Sequence, residues 1–145
     1  MTDIWRVRHH TYRHLAETGA APSLDESASA LRLTAPEVAQ ARRRLEDLHA
    51  MALLSSAEIR MAHPFSARPT VYRVEGPETV WWANCAWDAL AIPPMLGVDC
   101  VIESACADCG RDFDLQVLDG ALSGDDGVVQ FVVTPKKFWE DIEFT

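Results

Sequence analysis

Two S/T-x-x-E signatures, Ser23 with Glu26 and Thr34 with Glu37, lie eleven residues apart and fix two helix starts. In each, a hydroxyl and a carboxylate satisfy amides that the first turn of a helix leaves unpaired. The helix opened at Ser23 can therefore run only to about Leu31. Arg32-Leu33-Thr34 separates it from the next, which is a helix-turn-helix spacing. Pro36 is tolerated in the first turn of that third helix. Val38, Ala41, Leu45 and Leu48 follow at spacings of 3, 4 and 3, on one face, with Arg42, Arg43 and Arg44 mostly opposite. Upstream, Asp3 predicts the cap of a first helix running to about Ala16, with Ile4, Val7, Tyr12 and Leu15 inward and Gly19 as its stop. Residues 59–63 and 70–74 alternate as strands around a proline-rich loop, 64–69. Three helices followed by a hairpin predict a winged-helix-like unit over 1–75.

Charge and chemistry divide near Glu75-Gly76-Pro77. The first 75 residues carry 10 Lys/Arg against 9 Asp/Glu, and the remainder 3 against 13, which together give the net charge of −9. All five histidines precede the boundary and all four cysteines follow it. This split predicts a second module, 76–145, and an α+β fold overall: the winged-helix-like region, then a small mixed or antiparallel sheet domain with short helices. Hydrophobic residues make up 48% of the chain and charged residues 24%, which speaks against disorder. No apolar run reaches the ~20 residues of a membrane helix. Asp3, Arg6, Arg8 and His9-His10 occupy the place of a signal-peptide core. The expected setting is the cytoplasm, with reduced thiols and no membrane. DNA binding through Arg42, Arg43 and Arg44 is one reading of the third helix. Glu46, Asp47 and the acidic second half favour a solvated basic face instead, so nucleic acid is not expected as a partner. The histidines are expected at the surface.

The stretch from Thr79 to Gly97 is the most informative. Residues 79–82 predict a short strand, Asn84 an N-cap, and Pro93-Pro94 the end of a short helix. Cys85 then stands in the first turn, where a helix N-terminus favours thiolate. Asp88, three residues on, shares its face. Trp81, Trp82, Trp87, Ile92 and Met95 would wall the pair, and dry surroundings help a carboxyl hold a deliverable proton. The plainer reading makes Cys85 a small core residue and Asp88 a helix-surface acid.

Beyond it, residues 99–104 predict a strand, with Val101 on one face and Cys100 and Ile102 on the other. Cys106 and Cys109 form a Cys-x-x-Cys knuckle closing on Gly110. A single knuckle is half a zinc site, so structural zinc is disfavoured, and the plainer reading is a tight turn. Residues 113–118 and 128–133 predict two more strands, with the turn between them at 123–127.

Asn84-Cys85-Ala86-Trp87-Asp88-Ala89-Leu90, then Ile92-Pro93-Pro94-Met95-Leu96-Gly97, then Ser104-Ala105-Cys106 with Gly110, resembles the organomercurial (alkylmercury) lyase family, the MerB-like proteins. The resemblance implies protonolysis of carbon–mercury bonds, with no cofactor beyond the mercury of the substrate. It implies that Cys85 binds mercury, that Asp88 moves a proton beside it and that Cys106 is structural. Mercury is soft and thiolate is its natural ligand. An organomercurial substrate and small cytosolic thiols are the implied partners; oligomeric state is not implied. The family's second catalytic cysteine is expected just after 139–145, past the last residue of this chain, with 128–133 and 135–145 leading up to it. Cys106 or Cys109 could stand in as second ligand if the knuckle folds over Cys85. The alternative is a non-catalytic winged-helix protein that binds or senses mercurials or metals.

Overall fold

The computed structural model describes residues 2–142; Glu143, Phe144 and Thr145, the end of the run expected to lead to a second cysteine, lie outside it. Helix α1, Ile4–Thr18, starts where Asp3 accepts the Trp5 amide and stops where Gly19 turns left-handed. It buries Ile4, Val7, Thr11 and Leu15, with Tyr12 half-buried beside them. Helices α2, Leu24–Leu31, and α3, Ala35–Asp47, both open on complete capping boxes. Val38, Ala41 and Leu45 face the core as predicted, whereas Leu48 lies past the helix end and is exposed.

Arg42 departs from both readings of the basic run, because its side chain is wholly buried. Its guanidinium donates to the carbonyls of Ala57, Pro22 and Ser23, to Ser27 Oγ and to Glu58 Oε2, at 2.8 to 3.3 Å. One side chain thus ties α2, α3 and the following loop together. Arg43 and Arg44 stay exposed.

Strands β1, Ala52–Leu53, β2, Ile59–Ala62, and β3, Phe65–Ser66, form a small antiparallel sheet in that order. The predicted pairing of 59–63 with 70–74 is not what forms. β2 instead turns tightly into β3, and β4, Arg73–Glu75, joins a second sheet. There it pairs with β5, Val80–Trp82, and with β6, Cys100–Ala105. The boundary read at 75/76 therefore falls inside the β4–β5 hairpin. β7, Asp112–Leu118, and β8, Ala121–Gly124, complete an antiparallel sheet of order β5-β4-β6-β7-β8. Trp81, Val74, Ile102 and Leu115 are cross-strand neighbours along one row of it.

The strand predicted at 128–133 does not form; Val128 and Val132 are exposed. The hairpin after β7 turns earlier, at Asp119-Gly120, where both residues have positive φ. That geometry suits a two-residue hairpin loop, and it makes 121–124 the paired strand. Helix α4, Ala86–Leu96, packs on β4 and β6 through Asp88, Ala89, Ile92 and Pro93. Pro93-Pro94 do not stop it, since they fall in its final turn and proline φ suits a helix; Gly97 ends it. Among the described residues no helix is long and apolar enough to cross a membrane.

The two halves share a seam. Trp81 Nε1 donates to the carbonyls of Leu15 and Ala16 at 3.1 Å each, and Thr79 Oγ1 reaches Glu17 O. Gly19 is required there: a Cβ would stand 2.0 Å from Val80 O.

Candidate functional site

Backbone pairing sets the site. An isolated bridge joins Phe65 to Ala83, and Ala83 is held further by its amide to Tyr72 O at 2.9 Å and its carbonyl to Thr70 Oγ1 at 2.7 Å. The chain therefore leaves β5 at the point where the small sheet meets the large one. Asn84, Cys85 and the first turn of α4 project from there, facing the loop after β2.

Cys85, not Asn84, is the N-cap of α4, and its sulfur accepts the Asp88 amide at 3.5 Å. Burial pushes the Cys85 thiol up, and the Asp88 carboxylate adds to that; the amides of Asp88 and Trp87 pull the other way without prevailing. The shift runs against the thiolate expected from helix position alone. Thiol and carboxyl share one turn and interact directly.

Asp88 is largely buried, and its surroundings are polar where the sequence predicted an apolar wall. Asn84 Nδ2 donates to Asp88 Oδ2 at 3.0 Å and to Pro64 O at 3.2 Å. His63 Nδ1 lies 3.5 Å from the same carboxylate oxygen. Of the predicted wall, Ile92 is buried in the core and Trp81 is turned toward α1, while Trp87 and Met95 are exposed. The reason is helical phase. Asp88, Ala89, Ile92 and Pro93 anchor α4 on the sheet, which sends positions 87 and 95 outward.

The segment after β8 returns over this region. Its 3-10 helix, Pro135–Glu140, stacks Trp139 on His49, with centroids 4.4 Å apart, and sets the same ring edge-on to His63 at 5.8 Å. Phe131 packs edgewise on Trp87. The structure thus adds His63, Asn84 and Trp139 to the Cys85–Asp88 pair. His63 could have been suspected from its place in the His-Pro-Phe turn, but nothing local in the sequence ties it to position 88.

The remaining cysteines occupy two environments. Cys100 is buried, and burial with Asp99 raises its thiol to about 11, which suits a packing role. Cys106 and Cys109 flank the turn between β6 and β7, with Cys106 half-buried and Cys109 exposed. The amides of Cys109 and Asp108 and the Cys109 thiol all point at the Cys106 sulfur and lower its pKa. All four cysteines are free. Among the described residues no group of three or more His, Cys, Asp or Glu is arranged to hold a metal ion. A groove of about 580 Å³ lined by His9, His10 and His14 lies along α1, away from this chemistry.

The family model for alkylmercury lyases (MerB) matches residues 65–145, more than half the chain and the whole of the site segment from β3 onward. The chain belongs to the alkylmercury lyase family. Among solved structures, the mercury-bound form of MerB2 superposes with a TM-score of 0.68 at 19% identity, covering 85% of this chain. At that identity the likeness speaks for the fold. This chain spans 59% of the length of that structure. No curated protein matches it.

Proposed function

We propose that this alkylmercury lyase family member cleaves carbon–mercury bonds by protonolysis at Cys85 and Asp88. The observation that carries the reading is one turn of α4 in which the half-buried Cys85 sulfur accepts the Asp88 amide and so sits beside a carboxyl held by Asn84 and His63. A thiol raised by burial needs a proton acceptor when a soft cation arrives, because metal ligation requires thiolate. Asp88 is that acceptor. As the Cys85 sulfur–mercury bond forms, the S–H proton moves to the Asp88 carboxylate.

The same proton then goes to the mercury-bound carbon. The carbon–mercury electron pair takes it up, hydrocarbon leaves, and mercuric ion stays on the sulfur. A second thiolate on mercury strengthens the push toward carbon, and a small thiol from solution supplies it. Asn84 and His63 fix the carboxyl from one oxygen, leaving the other to face the reacting atoms. Trp139 holds the His63 ring.

The test is hydrocarbon release from phenylmercuric acetate in excess thiol, followed by gas chromatography. Cys85→Ser and Asp88→Ala should each abolish it. Release that survives both substitutions ends the reading. For the sensing alternative, Arg42 is withdrawn from the basic face of α3, which leaves Arg43 and Arg44 exposed there.

A further inference from the structure

The order β5-β4-β6, antiparallel at both junctions, makes β5 and β6 run in the same direction on either side of β4. Their C-terminal ends therefore lie at one edge of the sheet. Cys85 follows β5 there and Cys106 follows β6. Two strand spacings, about 10 Å, separate those ends. Tyr72, the residue before β4, lies at that same edge: Arg73 pairs with Trp82 on one side and Glu103 on the other, and the Tyr72 carbonyl accepts the Ala83 amide at 2.9 Å.

We propose that the Cys106–Cys109 turn is a second mercury site, a dithiol chelate that accepts mercuric ion. Gly110 N–H to Cys106 O at 2.9 Å and Cys106 N–H to Arg111 O at 2.8 Å close the turn. Both cysteines stand on this one turn, Cys106 half-buried and Cys109 exposed. Gly110 adopts φ +71, with open space where its side chain would stand. Two soft ligands, with no group of three or more His, Cys, Asp or Glu arranged for a metal among the described residues, suit a linear, two-coordinate thiophilic ion and do not suit tetrahedral zinc.

Binding replaces two S–H bonds by two S–Hg bonds and releases two protons to solvent, with no change of oxidation state. Cys109, exposed, meets the ion first and Cys106 closes the chelate. The acceptor role rests on the proposed chemistry at Cys85, since that chemistry leaves mercuric ion one sheet edge away. The site itself does not need that chemistry.

The test uses the full chain carrying Cys85→Ser, given one equivalent of mercuric chloride in excess glutathione and examined by native mass spectrometry. This protein should retain one mercury. Adding Cys109→Ser should lower retention by roughly tenfold or more, because a lone thiol competes with glutathione without chelation. Cys109→Ala serves as a second variant, and circular dichroism confirms that each variant folds. Equal retention with and without Cys109, or none in the Cys85→Ser protein, overturns the proposal. So does zinc, added alone, binding at one per chain and resisting displacement by mercury. Hydrocarbon release by the native chain is measured separately, so failure at the turn and failure at Cys85 are told apart.

Discussion

The starts of α2 and α3 and the start of α4 follow one pattern: a cap residue, then an acid three positions on. In α2 and α3 the cap is a hydroxyl, and the acid bends back onto the cap, with the Ser23 and Thr34 amides donating to Glu26 and Glu37 at 2.7 Å. In α4 the cap is a sulfur. The acid does not fold back onto the cap's backbone amide; Asn84 donates to it and His63 lies beside it. The hydroxyl boxes consume their polar groups internally and are inert. At α4 the same local geometry leaves a thiol and a carboxyl adjacent, with Asn84 and His63 both meeting the carboxylate at Oδ2. On the proposed chemistry, a helix start becomes reactive when something else satisfies its acid.

Cys85→Ser breaks the comparison most severely. It rebuilds α4 as a third hydroxyl cap, so the fold and melting temperature should hold while hydrocarbon release disappears. Arg42→Met comes next. It leaves the carbonyls of Pro22 and Ala57 and the Ser27 hydroxyl without their donor, and should cost about 3 kcal/mol in denaturant unfolding. Arg43→Met, one residue on and exposed, should cost about 0.5 kcal/mol or less. Asn84→Ala removes the donor that fixes the Asp88 carboxyl. It should lower turnover by about 10–100-fold while one mercury per Cys85 still binds, read by steady-state kinetics beside mass spectrometry.

Ser23→Ala and Thr34→Ala are smaller, at about 1 kcal/mol each and with no change in activity. Their pH dependence sharpens the contrast. The backbone amides and hydroxyls of Ser23 and Thr34 hold Glu26 and Glu37 below the ordinary glutamate value of 4.5. A carboxyl lowered in the folded state stabilises fully above its unfolded pKa. That stability is lost as pH falls from about 4.5 through the folded value. The penalty of Ser23→Ala should therefore shrink on acidification across that window, measured by urea unfolding.

The helices were legible because caps and periodicity are local. Ser23, Thr34 and Gly19 act where the sequence placed them. Arg42 was missed although the spacing contained it. It lies four residues after Val38 and three before Leu45, on the buried stripe, and only its charge argued otherwise. The last strand was missed by reading Ser123 to Gly127 as the turn when Asp119-Gly120 was the stronger hairpin signal. Residues 128–133 are β-branched and aromatic apart from Gln130, but β7 had already paired its free edge with β8. For the site, the Cys85–Asp88 proximity followed from spacing alone. The polar lining did not, because His63 reaches Asp88 only through the Phe65–Ala83 bridge between two sheets. No pattern within one segment encodes such a meeting.

The indole of Trp81, hooked onto two carbonyls at the end of α1, has a bearing on how this molecule comes apart. Those carbonyls belong to a helix whose own C-terminal groups would otherwise face solvent, and the ring that caps them is an interior residue of the sheet. Cutting the chain near Gly76 would therefore not yield a free-standing helical piece and a free-standing sheet piece. Each would carry a raw face matched only to the other, and the protein should unravel in a single cooperative step.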